Sequence, residues 1–475
     1  MKDSLIKQFL KFSYGSWLGL FLGLASTMII TRILSPDALG KASMFDLLLQ
    51  VGMIITIFGT DQSFVRFFYE EEESKRGALL YNTLKIPWLS TIGMLIIVFA
   101  FYQPITNFLV GEPNFIIVIW LALGIIGQLL RRYAQLVIRM QQKGNLYSLL
   151  QIFYRVFNLL FILIFFYFVG SRFEILIWSK VVTFFLVVTI AIYFSKDYWN
   201  PKNLRINNVR HSQKEIFKYG APYVLTLFLT WLFESFDKIA LRQWSDFEEL
   251  GQYSAAMRLV ALVVVLRTSF STFWTPVAYK KFENSPEDKS FFRSMSLIVS
   301  FAMFLVAIAS IALRDIIVFL LGNDYVAAGM IMPFLVFMPI LYTISHTTVM
   351  GINFYKKTKY HIYIALISCT VNILGNWVLV PSYGALGASI STAISFVVFF
   401  TLRTQFSLKF YKVNYPLIKI YCMIIIVLFY AVIAVVITDF WLNILVGMIL
   451  IIILILLYYK DLLIIFKNRK EIFNE

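Results

Sequence analysis

The sequence predicts an all-α integral membrane protein with about 14 transmembrane helices. They form two six-helix bundles related as a parallel repeat and facing a central cavity, with two further helices at the C-terminal end. Three observations carry this. Hydrophobic residues make up 60% of the 475 positions and charged residues only 14%, against about 25% charged in an average soluble domain. Apolar stretches of spanning length recur from end to end, as in MIIIVLFYAVIAVVI at 423–437. Lys and Arg are crowded into alternate connections, the pattern left by membrane orientation.

Taken in order, the first apolar run, 12–33, follows Lys2, Lys7 and Lys11. That outline suggests a signal peptide, but the run is of spanning length and has no small-residue cleavage site, so it reads as a retained helix. Runs at 42–60, 84–108, 115–138, 146–169 and 173–195 complete a first bundle, residues 1–195. The connection KDYWNPKNLRINNVRHSQK, 196–214, is basic and rich in Asn. It reads as a cytoplasmic linker spanning 196–215. Runs at 216–241, 252–275, 293–320, 328–350, 361–380 and 386–406 form the second bundle, 216–406. Runs at 416–438 and 441–459, with a basic tail containing KNRK at 467–470, form the appended section 407–475.

An even number of spans places both termini on one side, and the distribution of Lys and Arg makes that side cytoplasmic. On that assignment the inner segments hold about 32 of the Lys and Arg and the outer ones about 6. Basic runs such as KKTK (356–359) fall inside, and SDFEEL (245–250) and SYGAL (382–386) fall outside. Asn208 is therefore expected in the cytoplasm and Glu249 outside. The net charge of +16 records this orientation and calls for no nucleic-acid partner.

The chain repeats itself. RILSPDALGKASMF at 32–45 and RQWSDFEELGQYSAAM at 242–257 each hold an Arg, a Ser and Asp turn, a Leu-Gly pair and a new apolar run. Both occupy the outer connection after the first helix of a six-helix unit. KGNLYSLLQIFYRVFNLLFILIFFYFVG at 143–170 also aligns without a gap on KTKYHIYIALISCTVNILGNWVLVPSYG at 357–384, with Asn158 on Asn372 and Gly170 on Gly384. Units of six helices enter from the same side, hence the parallel repeat, and paired bundles of this kind work by alternating access at their interface.

FGTDQSFVRFFYE at 58–70 resembles the segment after the second helix in bacterial polysaccharide and oligosaccharide flippases, of the superfamily that also holds multidrug and toxic compound extruders. YGAPYVLTLFLTWLFESFDKIAL (219–241), ELGQYSAAMRLV (249–260) and FSTFWTPVAYKK (270–281) are similar to that family's seventh and eighth helices. Pro222, Asp237, Gly251, Tyr253 and Pro276 stand where the pattern expects them. The resemblance implies a bacterial inner-membrane transporter, not an enzyme. Its substrate would be an undecaprenyl-pyrophosphate-linked glycan carried from the inner to the outer leaflet for a surface polymer such as O-antigen or capsule. The partners implied are the lipid-linked glycan, the bilayer, and a polysaccharide polymerase with its assembly proteins.

The residues reach the same function through charge, because a cation at a helix centre is costly unless a polar cavity or a partner receives it. Helix 4 lines up Gln128, Arg132, Gln135 and Arg139 on one face, and helix 5 lines up Gln151, Arg155 and Asn158. Lys180 in helix 6 and Arg258 and Arg267 in helix 8 add cations with no carboxylate within a turn. These residues, with Arg66 at the inner mouth, are the candidate substrate contacts, suited to pyrophosphate and sugar hydroxyls. Arg139 and Arg131 are expected to snorkel to the inner interface. Arg258 and Arg267, nine residues apart, share a lumen only if helix 8 bends.

Glu234 and Asp237 are the candidate ion-coupling residues, for a proton or Na⁺, unless they merely pair with Lys238. Asp46 is a weaker candidate. Ser16, Gly19, Gly23 and Ser26 form a small-residue stripe read as a packing surface. Cys369 and Cys422 sit in apolar runs as packing residues, and His211, His346 and His361 form no ligand motif. No motif calls for a cofactor or a metal. Three alternatives remain, one of them a scaffold within an assembly machine. An ion-coupled drug extruder calls for acidic or aromatic pockets, and this core is basic. A membrane polymerase or glycosyltransferase calls for a catalytic constellation, usually on a large outer loop, and the outer connections are short.

Overall fold

The computed structural model describes residues 2–205, 209–437 and 439–467, with side chains from residue 18 onward except residue 466. Asn208 lies outside the described residues. The regular elements among them are all helices, and they divide into two compact units, Met1–Leu232 and Phe233–Glu475. Eleven of the described helices are long and apolar enough to cross a membrane.

The first unit contains α1 (Lys2–Ile33), α2 (Pro36–Ile57), α3 (Thr60–Phe67), α4 (Arg76–Ala100), α5 (Tyr102–Val110), α6 (Phe115–Met140), α7 (Gly144–Val169) and α8 (Glu174–Tyr193). Helix α9 (Gln213–Trp244) begins in this unit and ends in the second. The second unit continues with α10 (Phe247–Asn284), α11 (Lys289–Ala312), α12 (Arg314–Phe319), α13 (Ala328–Leu335), α14 (Phe337–Thr348), α15 (Met350–Phe354), α16 (Lys359–Leu408), α17 (Leu417–Val436) and α18 (Phe440–Lys467). The 50 residues of α16 hold two of the expected spans, joined at a kink where Gly384 has φ 51° and ψ −131°. Helices α1 and α9 fall outside the eleven: the apolar part of α1 described is the shorter Leu18–Ile33, and α9 carries Glu234, Asp237 and Lys238 near one end.

The repeated sentence of the sequence is a helix start. In the first copy Ser35 is the N-cap of α2, accepting from the Ala38 N–H at 3.4 Å, with Pro36 at the first helical position. In the second, Asp246 caps α10, accepting from the Glu249 N–H at 2.8 Å. Short polar side chains satisfy otherwise orphaned N–H groups there, and proline has no N–H to lose. The longer aligned segments are also bounded alike: Gln142 and Lys356, just before them, have φ 57° and 54°, and Gly170 and Gly384, which end them, have φ 81° and 51°.

Gly384 has a second constraint. A methyl group there would lie 2.6 Å from Glu249 Oε2, which accepts from the Ala385 N–H at 2.7 Å. Gly384→Ala therefore meets both a left-handed backbone and a carboxylate that cannot retreat without losing its bond. It is expected to destabilise the protein by roughly 1–3 kcal/mol, seen as a lower unfolding temperature in detergent. Adding Glu249→Ala should recover only the steric part, and full recovery would assign the whole effect to the clash.

Packing in the first unit centres on a cluster where α3, α4 and α6 meet, with Phe64, Phe68, Leu80 and Tyr133 wholly buried. In the second unit Trp274, Phe292 and Tyr411 anchor an aromatic cluster between α10, α11 and the end of α16. Within lipid, such interlocked rings hold helices together by close packing, since hydrocarbon tails are as apolar as the side chains. Cys369 is buried as expected, whereas Cys422 is exposed on α17.

Candidate functional site

In the first unit the site is organised by a break. Helix α2 ends at Phe58 and Gly59, which take φ 53° and 71° in succession. A methyl on Gly59 would lie 2.1 Å from the carbonyl oxygen of Gly220, so only glycine permits this crossing of two backbones. The chain restarts as α3 and turns Asp61 inward. Arg132 of α6 meets it through Nε at 3.0 Å and Nη2 at 2.5 Å, both on Oδ2. Asp61 is 4% exposed, and the Arg132 side chain 36%. Beside the pair, the Thr60 and Tyr133 hydroxyls lie 2.7 Å apart.

Two of the candidate cations have carboxylate partners beyond their own stretch of sequence. Arg132 is paired with Asp61, and Lys180 of α8 with Asp46 of α2. Both partners come from other helices, where sequence neighbourhood does not reach, and each offsets the desolvation of its cation. Asp46 is thereby engaged. Arg131 is half-buried, and its guanidinium lies 5.1 Å from the Tyr154 ring and 4.9 Å from the Phe184 ring, a cation–π arrangement. Arg139 is exposed, in keeping with an interfacial place, and Arg66 is exposed and paired with Glu70 at 2.5 Å.

Of the amides on these faces, Gln128 donates to Met53 Sδ at 3.1 Å, and its Oε1 is buried without a partner among the described residues. Gln135 is half-buried. Asn158 donates to Ser179 Oγ at 3.4 Å, and its counterpart Asn372 stands 3.5 Å from Thr392 Oγ1, so the aligned asparagines make the same kind of cross-helix contact.

Arg155 is exposed on α7, with no carboxylate within 4 Å among the described residues. Its side chain runs along the small-residue stripe of α1. A methyl on Gly19 would lie 3.9 Å from Arg155 Cγ, and one on Gly23 would lie 3.4 Å from Nη1. The stripe is therefore a slot for a cation as well as a packing surface. Gly23→Val should displace the guanidinium and slow transport by roughly tenfold or more, close to the loss in Arg155→Ala. A Gly23→Val protein that transports normally while Arg155→Ala is inactive would show that the slot does not position Arg155.

In the second unit, α10 runs unbroken past Arg258 and Arg267, with its proline, Pro276, beyond both. Arg258 is half-buried. Arg267 lies 3.6 Å from Glu234 and stacks 3.4 Å over the Tyr342 ring. Arg403 of α16, which the sequence reading passed over, lies 5.1 Å from the same ring, donates to Ser345 Oγ at 2.7 Å and is 6% exposed. Its signal was a cation just inside the end of an apolar run, easily taken for an interfacial anchor. Arg314, also passed over, is 5% exposed and donates to the Ile437 carbonyl at 2.5 Å, closing the end of α17.

Asp237 is 2% exposed and surrounded by neutral donors. Tyr253 and Thr392 donate their hydroxyls to Oδ2, each at 2.5 Å. Asn372 and Asn376 donate to Oδ1 at 3.0 and 2.7 Å. An ionised carboxylate accepts at both oxygens and suits this cage. Both asparagine Oδ1 atoms are buried without a partner among the described residues, so amide rotation would present carbonyl oxygens toward the carboxylate. Sequence reading found Asp237 and Asn372 by separate routes and had no means of joining them.

Residues 10–282 match the family described as polysaccharide biosynthesis protein. The chain belongs to this family. Over 428 residues it is 24% identical to the Haloferax volcanii protein named "Probable low-salt glycan biosynthesis flippase Agl15", covering 87% of this chain and 84% of that one. Among solved structures, lipid II flippase MurJ in an inward closed conformation matches with a TM-score of 0.70 at 18% identity, over 95% of this chain and 99% of that one. The Vibrio cholerae MATE transporter VcmN, solved as a point mutant, matches with a TM-score of 0.54 at 16% identity, over 86% and 98%. The family member described here thus shares the helical membrane fold of both flippases and extruders.

Proposed function

We propose that the protein carries lipid-linked glycans across the bilayer, and that its cargo is an undecaprenyl-pyrophosphate-linked oligosaccharide repeat unit moved from the cytoplasmic to the outer leaflet by alternating access. Arg155 is the observation that carries the cargo's charge class. It is a cation on a helix read as spanning, held in a glycine slot, with no carboxylate within 4 Å among the described residues. A pyrophosphate entering a membrane needs fixed donors to replace its hydration, and a guanidinium supplies charge with paired N–H groups. Gln128, Gln135 and Asn158 offer amide groups for sugar hydroxyls, and Arg132 and Lys180 would exchange part of their bonding to Asp61 and Asp46 for the passing anion. On this reading the product feeds a polysaccharide polymerase at the outer face.

The test is purified protein in liposomes containing a fluorescent undecaprenyl-pyrophosphate oligosaccharide, with outer-leaflet probe destroyed by an impermeant reductant. Protein-dependent gain of reducible probe, lost in Arg155→Ala, is expected. Movement of a cationic dye with none of the glycan lipid would overturn the reading in favour of an extruder.

Transport is driven, in this reading, by a monovalent cation or proton at Asp237. The carboxylate and two hydroxyls bring oxygens to one buried point, and rotation of the two amides would add two more, the ligands that a hard cation takes.

A further inference from the structure

In the first unit, a cavity of about 350 Å³ lies between α4 and residues 203–204 and 209–213, within the size range of small-molecule sites. Tyr81, Asn82 and Lys85 share one face of α4 and form its floor, and Arg210, His211 and Gln213 close over it. No Asp or Glu is among the described lining residues. The cover is fixed by hydrogen bonds: Tyr81 donates to the Trp199 carbonyl at 2.7 Å, Asn82 to the His211 carbonyl at 3.0 Å, and Gln213 to the Asn82 carbonyl at 2.6 Å.

Not all of the positive charge around the cavity is available. The Arg210 backbone N–H donates to Glu71 at 2.9 Å and its guanidinium to the Glu70 carbonyl at 3.2 Å. His211 stacks on Phe67 at 4.0 Å, with Glu70 at 3.2 Å and Glu215 at 3.5 Å from its ring nitrogens. The Ser212 N–H and then His211 hold the Glu215 carboxyl below its ordinary range, so Glu215 stays an anion beside the ring. Lys85 is different: it is exposed, and no carboxylate lies within 4 Å of it among the described residues. One turn further along α4, Trp88 is 38% exposed and Leu89 73% exposed, a Trp beside a cation of the kind found at membrane–water boundaries.

We propose that this cavity binds a phosphate group, presented by an anionic phospholipid at the membrane surface, with Lys85 supplying the charge. The second Nδ2 proton of Asn82 is left to donate to a phosphate oxygen, and the Tyr81 hydroxyl oxygen, whose proton goes to the Trp199 carbonyl, can accept from the glycerol. A phosphate bound there touches α4 and the linker together and fastens one to the other. Surface lysines draw on the negative potential of the cytoplasmic leaflet, which is the side expected for this linker.

The experiment uses the full-length protein in nanodiscs of phosphatidylglycerol or phosphatidylcholine, with lipid adducts counted by native mass spectrometry. Wild-type protein and Lys214→Gln, an exposed cation that does not line the cavity, should retain phosphatidylglycerol equally. Lys85→Gln should hold it roughly fivefold more weakly. Equal retention by Lys85→Gln, or equal loss in Lys214→Gln, overturns the proposal. If Lys85→Gln does not fold, acetylation of wild-type protein decides: Lys85 should be protected relative to Lys214 in phosphatidylglycerol discs and not in phosphatidylcholine, and equal labelling in both overturns it. Inorganic phosphate in phosphatidylcholine discs separates the sources. Failure to protect Lys85 supports the lipid, and protection equal to that in phosphatidylglycerol overturns the lipid assignment in favour of the free anion.

Discussion

Arg132→Ala is expected to fail twice, in transport and in stability. A cation without a partner could be removed at no structural cost, but Arg132 covers Asp61, whose carboxylate is 4% exposed and whose other bonds come from Gln62 at 2.9 and 3.0 Å. Removing one member of a buried pair leaves the other short of its counter-charge. With Arg132 a third exposed, the loss should be roughly 1–3 kcal/mol. Thermal unfolding of Arg132→Ala should show this, and the double variant Arg132→Gln with Asp61→Asn should restore most of the stability. Glycan flipping should remain at least tenfold down in the double variant if the cation serves the cargo. A double variant that regains both stability and flipping would make the pair structural only. The conservative variant Arg132→Lys should keep the fold and part of the transport, since it retains the charge and loses the fork.

Asp237→Asn is expected to fold and to lose its response to an ion gradient. Tyr253 and Thr392 offer hydroxyls that turn from donor to acceptor when the Oδ2 position becomes an NH₂, while Asn372 and Asn376 keep their acceptor at Oδ1. The shape of the cage and most of its contacts are therefore kept and the charge is gone. Flipping in liposomes should become independent of an imposed Na⁺ or proton gradient and fall by roughly tenfold or more. Asp237→Ala should instead lower the unfolding temperature, because four buried donors lose their acceptor together. An Asp237→Asn protein that still responds fully to the gradient would remove Asp237 from coupling and leave it as a packing centre.

The candidate site was legible wherever chemistry announced itself along the chain. A polar face inside an apolar run identified α6 and α7, and the aligned asparagines and glycines identified positions whose backbone angles and contacts prove alike in both copies. The partners of these residues were not legible. Asp61 stands 71 positions from Arg132, and Asp237 stands 155 from Thr392. Arg403 was missed because position in a hydropathy run does not separate an interfacial anchor from a cation sealed by Tyr342 and Phe399.

The sequence by itself determined that this is a helical membrane protein, where its apolar spans lie, that two of its turns repeat one pattern, and which family it resembles. These follow from local quantities: the apolar length needed to cross a bilayer, the residue types that satisfy free N–H groups, and the uneven placement of Lys and Arg. Tertiary structure alone decided which charges are paired and that one buried carboxylate is enclosed by four neutral donors. Charge pairing in a membrane depends on distances of a few ångströms between helices far apart in the chain, and desolvation makes those distances, not the presence of the charge, decide what a residue does.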